Sequence, residues 1–177
     1  MRIICLFLLA ALTIRASAQT RPSNEEFLNE VFPKISGNTD FAYYLIAGSD
    51  TCRFEKFDYD EWVKYHLQES VPLSTLNELA YKVHLNHEPY YWQQDKLQKA
   101  TLVTARQADS LFMTPSHTGM HTIFSLSQPQ FTDDGQYAVI DINWKNGLIY
   151  GGGHTFLFRH TTEGWHSIGS KVNWGLE

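Results

Sequence analysis

The chain offers eight histidines as its first candidates for chemistry. His84-Leu85-Asn86-His87-Glu88 sets two imidazoles three residues apart, and His117 and His121 stand four apart. Zinc takes imidazole and carboxylate ligands, and helical i, i+3 or i, i+4 spacing puts two of them on one side. The order differs, however, from H-E-x-x-H and H-x-x-E-H. His87 also falls past an expected helix end at Asn86, and His117 and His121 flank Gly119 in an expected loop. The reading is therefore scattered surface histidines and no metal. The alternative is a metal-dependent hydrolase drawing on His84, His87, His117 and His121. Nucleophilic catalysis has no local signature: G-x-S-x-G is absent, nothing near Cys52 links it to a histidine, and no carboxylate pair stands out for glycoside chemistry. No catalytic residue and no cofactor follow.

Gly151-Gly152-Gly153 has the composition of an anion-binding loop, but the residues after it read as a strand and not as the helix a phosphate site needs. A glycine-rich bulge or bend in a hairpin connection is the expectation. Upstream of it the residues alternate. Along Gln136 to Trp144, Ala138, Ile140, Ile142 and Trp144 point one way, with Asp141 and Asn143 opposite. If Phe156 and Phe158 join the apolar side, Thr155 and Arg159 join Asp141. Two uses of that polar side are open. Asp141 and Arg159 form a cross-strand ion pair, or Tyr137, Asp141, Asn143 and Arg159 line a site for a small molecule or sugar inside a helix-lined cup. Aromatic residues are dense. Core packing is their expected use, with Tyr90-Tyr91-Trp92 the run expected to reach the surface.

These residues must be positioned by a chain of 177 residues that is 43% hydrophobic, 19% charged and 14% aromatic. Those values exclude a collagen-like, low-complexity or disordered chain and fit about one domain. A net charge of −5 argues against nucleic acid as a partner, because phosphate binding rests on clustered cations. Residues 1–18 read as a secretory signal. Arg2 is a minimal positive region, Ile3 to Leu12 is uncharged and apolar, and Ala16-Ser17-Ala18 is an A-x-A cleavage site. The run is shorter than the roughly 20 apolar residues a membrane span needs. Cleavage near Ala18 leaves a single domain over 19–177, periplasmic or secreted. It removes Arg2 and Arg15, taking the net charge from −5 to −7. It also leaves Cys52 as the one thiol, which is expected to be buried.

Helical spacing occupies the first half. Ser23-Asn24-Glu25-Glu26 is a capping box ahead of the stripe Phe27, Leu28, Val31 and Phe32, with Pro33 expected to end or kink the helix. Phe41 to Ala47 fits helix or strand. Asp58 is placed to cap a helix whose face is Trp62, Val63, His66 and Leu67. A third helix is expected over Thr75 to Leu85, burying Leu76, Leu79, Ala80 and Val83. Ala100 to Thr104 reads as a strand and Arg106 to Phe112 as a short helix. From Thr122 the pattern is β. Strands at Thr122 to Ser127, Gln136 to Trp144, His154 to His160 and Trp165 to Trp174 form an antiparallel meander. Helices before strands predict α+β, with helices covering one face of the sheet.

The C-terminal half carries the phrase Phe124-Ser125-Leu126-Ser127-Gln128-Pro129-Gln130-Phe131-Thr132-Asp133-Asp134-Gly135-Gln136-Tyr137-Ala138. Gly151-Gly152-Gly153, Phe156-Leu157-Phe158 and Gly164-Trp165 follow it. With Asn77-Glu78-Leu79-Ala80, Trp92 and Leu97 upstream, residues 70 to 174 resemble a group of uncharacterised exported bacterial proteins. Many of those carry a cysteine pair around the Gly-rich segment. Asn146 to Gly151 holds none here, so no role of that pair carries over. The resemblance implies export and fold, and no activity. The sequence thus reads as an exported, non-catalytic binding or accessory module. A cystatin-like or nuclear-transport-factor-like cup is the expected architecture, and a small molecule or a protein the expected partner.

Overall fold

The computed structural model describes residues 21–36, 42–54, 59–113, 121–147 and 150–176. The expected signal at 1–18, the Asp58 cap and His117 lie outside them. Helix α1 (Asn24–Ser36) opens on the capping box: Glu26 N donates to Ser23 Oγ at 3.2 Å, and Ser23 N donates to Glu26 Oε2 at 2.8 Å. Replacing Ser23 by alanine should cost about 1 kcal/mol. Urea unfolding checks this as a lower midpoint at unchanged slope. The helix runs past Pro33 to Ser36, where the sequence predicts an end or a kink. Pro33 lies in the final turn, so its missing N–H removes a single ladder bond close to the terminus.

Strand β1 (Tyr43–Ile46) resolves the ambiguous run as extended chain. Helix α2 (Tyr59–Glu61) continues as a π-helical turn over Trp62–His66, closed by Leu67 N donating to Trp62 O at 2.9 Å. That winding corrects the predicted stripe. Trp62 is buried, but Val63 turns outward to 45% exposure because the turn is wider than 3.6 residues. Helix α3 (Leu73–Leu85) stops at Asn86 as expected and buries Leu76, Leu79 and Val83. Strand β2 (Ala100–Val103), helix α4 (Ala105–Met113), and strands β3 (Thr122–Leu126), β4 (Gln130–Phe131), β5 (Tyr137–Asn146), β6 (Tyr150–Thr161) and β7 (Gly164–Leu176) follow.

The fold is α+β around one seven-stranded, mostly antiparallel sheet, ordered β2-β1-β3-β5-β6-β7 with β4 also paired to β5. The predicted meander is its β3-β5-β6-β7 part. Strands β1 and β2 add a parallel portion beyond β3. The outer edge of β2 is closed by one side chain: Gln94 donates to Ala100 O and accepts from Leu102 N, both at 2.8 Å. An edge satisfied in this way offers no ladder to another chain.

Helices cover both faces of the sheet, not the single face predicted. On one side α1 packs Phe27, Leu28, Val31 and Phe32 against Leu45, Ala138, Ile140, Ile142 and Phe158. Phe27 sits edge-on to Phe131, Phe158 and Trp165, with centroids 5.1, 5.4 and 5.0 Å away. On the other side Trp62 and α3 pack on Tyr137, Val139 and Leu157, while α4 packs on Val103 and Ile123. The reason lies in β5, where the residues between Ala138, Ile140 and Ile142 include Tyr137 and Val139. A central strand with apolar groups on both sides needs cover on both.

Candidate functional site

Beside α4, on the polar side of the sheet, lies a cleft of about 360 Å³. Helix α4 forms one wall with Ala105, Ala108, Asp109 and Phe112. These positions, i, i+3, i+4 and i+7, make one helical stripe. The floor is Ile123 and Ser125 of β3 and Asn143 of β5. Asp50 and Arg53 in the segment after β1, Ile46 of β1, Trp144 and Lys145 of β5 and Trp174 of β7 also line it.

The floor groups are tied to one another. Asp50 Oδ2 accepts from Ser125 Oγ and, at 3.3 Å, from Asn143 Nδ2. Asn143 Oδ1 accepts from Trp174 Nε1 at 2.9 Å. These partners dictate the orientation of the Asn143 amide, since an indole N–H can only donate and a carboxylate can only accept. The result is a preset array of carboxylate, hydroxyl, amide and indole ring. Its charges balance, with Asp50 and Asp109 against Arg53 and Lys145 at the rim.

A buried carboxylate lies beneath the array. Asp141 is fully buried. Its Oδ2 accepts from Arg53 N at 2.6 Å, and its Oδ1 accepts from Thr155 Oγ1 at 2.5 Å and from Cys52 Sγ at 3.6 Å. Thr155 Oγ1 in turn accepts from Asn173 Nδ2 at 3.0 Å. Burial pushes the Asp141 carboxyl above the usual aspartate value, and the Thr155, Arg53 and Cys52 donors pull the other way. Burial, with the Asp141 carboxylate beside it, pushes the Cys52 thiol far above its ordinary value. Cys52 is therefore an inert buried thiol.

The four residues predicted to line a site separate into two groups. Asp141 and Asn143 belong to the cleft and its foundation. Tyr137 is buried four residues along β5, about 13 Å from Asp141. Arg159 pairs in register with Tyr137 and lies over its ring, 5.9 Å from the centroid. The expected Asp141–Arg159 ion pair does not form. Thr155 is the residue opposite Asp141, and Arg159 instead meets Glu69 at 3.2 Å. Asp50, Arg53, Asp109, Ser125 and Trp174 escaped the sequence reading. The helical stripe of α4 was the signal available for Asp109. Nothing local marks Asp50 or Arg53, whose place is set by pairing with distant strands.

Among the described histidines, one pair is in contact. His84 and His87 meet edge to face at 5.6 Å, and His121 rests on Tyr44 at 5.3 Å. Among the described residues no three His, Cys, Asp or Glu side chains gather around one point. In the aromatic run, Tyr91 reaches the surface and Trp92 is buried.

The glycine run belongs to β6 itself and not to the hairpin connection. Gly151, Gly152 and Gly153 pair with Lys145, Trp144 and Asn143, and the register against β7 shifts after Gly153. Their role is close approach. A Cβ on Gly152 would stand 2.5 Å from Trp144 Cζ2, and one on Gly153 would overlap both Asn143 Oδ1 and Trp174 Nε1. The glycines let two indoles lie flat against the strand.

Comparison of the chain with known protein families, with curated proteins and with solved structures finds no match.

Proposed function

We propose that the chain is an exported, non-catalytic binding module that holds an uncharged sugar or similar polyol in the cleft beside α4. The observation that carries this is the preset Asp50–Ser125–Asn143–Trp174 array on the cleft floor. A carboxylate and an amide held in one geometry suit hydroxyl groups, and an indole face suits the apolar face of a sugar ring. Balanced charge favours a neutral ligand over an anion. The volume falls within the range of small-molecule sites, about 300–1,000 Å³. Helices standing on the sheet with a cleft beside α4 support the reading of a cup, of the cystatin-like or nuclear-transport-factor-like kind. Export rests on Arg2, the apolar run Ile3 to Leu12 and the Ala16-Ser17-Ala18 site.

Calorimetric titration with neutral mono- and disaccharides, with uronic acids as charged controls, tests the proposal. Saturable binding of a neutral sugar is expected. It should weaken about tenfold in Asn143→Ala, the loss of roughly one well-placed hydrogen bond, and further in Trp174→Ala. The proposal fails if no neutral sugar binds, or if both variants bind as the parent does.

A further inference from the structure

A second and larger cleft, of about 460 Å³, opens on the opposite face of the sheet beside the C-terminal end of α1. Its lining differs in kind. Phe32, Phe124, Ile142, Trp144 and Phe156 surround it with apolar and aromatic surface, and among the described residues no Lys, Arg, Asp or Glu lines it. Among the described lining residues one titratable group faces it, His154 of β6, along with the hydroxyl residues Ser36 and Thr122. The imidazole is stacked on Phe156, with centroids 5.6 Å apart and planes at 19°, and lies 5.3 Å from Trp144. Burial pushes its pKa below the ordinary histidine value, toward the neutral ring. A neutral imidazole has one N–H donor and one acceptor nitrogen. Among the described residues His154 makes ring contacts and no hydrogen bond.

We infer that this cleft is a binding site for a small, flat, uncharged aromatic molecule that carries one hydroxyl or N–H group directed at His154. Three features point to that class. Rings on several sides match a planar apolar body. The absence of a countercharge makes an ionised ligand costly to desolvate there. Few hydrogen-bonding side chains stand in this lining, His154 with the hydroxyls of Ser36 and Thr122, which selects for a ligand with little polar surface, the usual division of labour in such sites. Gly152 keeps the cleft open at its base by letting Trp144 lie against β6.

The test uses three molecules with the same methyl-substituted ring: p-cresol, toluene and p-toluate. Titrations of the purified protein are followed by NMR through the ring signals of His154, Trp144 and Phe156. p-Cresol should bind and move those signals. Toluene should bind about tenfold more weakly, the worth of one hydrogen bond, and p-toluate should not bind. His154→Phe keeps the stack but removes the hydrogen-bonding nitrogens, and should bring p-cresol down to the toluene level. His154→Gln should retain part of the difference. Failure of p-cresol to bind would overturn the inference, as would binding that leaves the His154, Trp144 and Phe156 signals unmoved. Equal binding of p-toluate, or a p-cresol affinity unchanged in His154→Phe, would also overturn it.

Discussion

Replacing Asp141 by alanine should lower the unfolding free energy by about 2–5 kcal/mol. The side chain is fully buried and accepts from the Arg53 amide, the Thr155 hydroxyl and the Cys52 thiol. Alanine leaves at least two of these donors facing a dry gap, and an unsatisfied buried donor costs roughly 1–3 kcal/mol. The loss is not confined to stability. The Arg53 amide is a tie between residues 50–53 and the sheet, and Asp50 and Arg53 both line the sugar cleft. Asp141 is thus a positioning residue: it touches no ligand, but it sets where two lining side chains stand. Urea unfolding of Asp141→Ala together with sugar titration of the folded variant checks both effects. A midpoint within error of the parent would show that the network adds nothing.

Asp141→Asn separates geometry from charge. It keeps the volume and one acceptor oxygen but turns an NH2 toward donors, so it should fall between the parent and alanine. It should also change the pH profile. The Asp141 pKa is raised in the folded protein, because burial outweighs the donors. Folding then favours the protonated carboxyl. Its contribution to stability is complete below the unfolded value, about 3.9, and is lost as pH rises through the folded value. Asparagine does not titrate, so this downward slope should vanish in the variant.

Much of this architecture is legible along the chain, and what is not has a physical reason. Ser23 and Glu26 announce the first helix because a cap is a local hydrogen-bonding pattern. Ala138, Ile140 and Ile142 announce β5 because a pleat alternates. The parallel pairing of β1 with β2 and β3 is not local. It joins Tyr43 to Ala100 across three helical segments, and no residue near Tyr43 encodes its partner. The same limit applies to the site. Asn143 stands out as a polar residue on a strand. Asp50 enters only because the segment after β1 crosses the sheet and places its carboxylate between Ser125 and Asn143. Asp141 looks like a surface charge seeking Arg159. It becomes a buried anchor once Thr155, and not Arg159, is found opposite it.

The two clefts follow from this pairing. β5 is central and buries apolar residues on both sides, so helices must cover both faces. Among the described residues, clefts remain beside the end of α1 on one face and beside α4 on the other. Both lie near Asn143, Trp144 and the glycines of β6. On one face an aromatic lining surrounds one histidine. On the other a polar array is locked to an indole. Trp144 of β5 lines both clefts, and its neighbour Asn143 lines the polar one.

The second large effect is expected at Gly153, where two physical terms have opposite sign. No positive φ is found there. By propensity alone, alanine should stabilise a strand position by about 0.5–1 kcal/mol relative to glycine. Space decides the other way. An added Cβ would overlap Asn143 Oδ1 and Trp174 Nε1 together, the two atoms whose hydrogen bond passes over this residue. Neither is the free end of a flexible chain, because the indole is held at the bond and the amide is also held by Asp50. Overpacking of this kind costs about 1–3 kcal/mol, and breaking the bond adds to it. Gly153→Ala should therefore lower the urea midpoint and abolish sugar binding as Trp174 is pushed out of the cleft. Gly175→Ala is the matched control on β7, where a Cβ would meet nothing within 4 Å. It should be neutral or slightly stabilising and leave binding intact. If Gly153→Ala behaved like that control, the indole would be free to move, and the preset array would not be the basis of recognition.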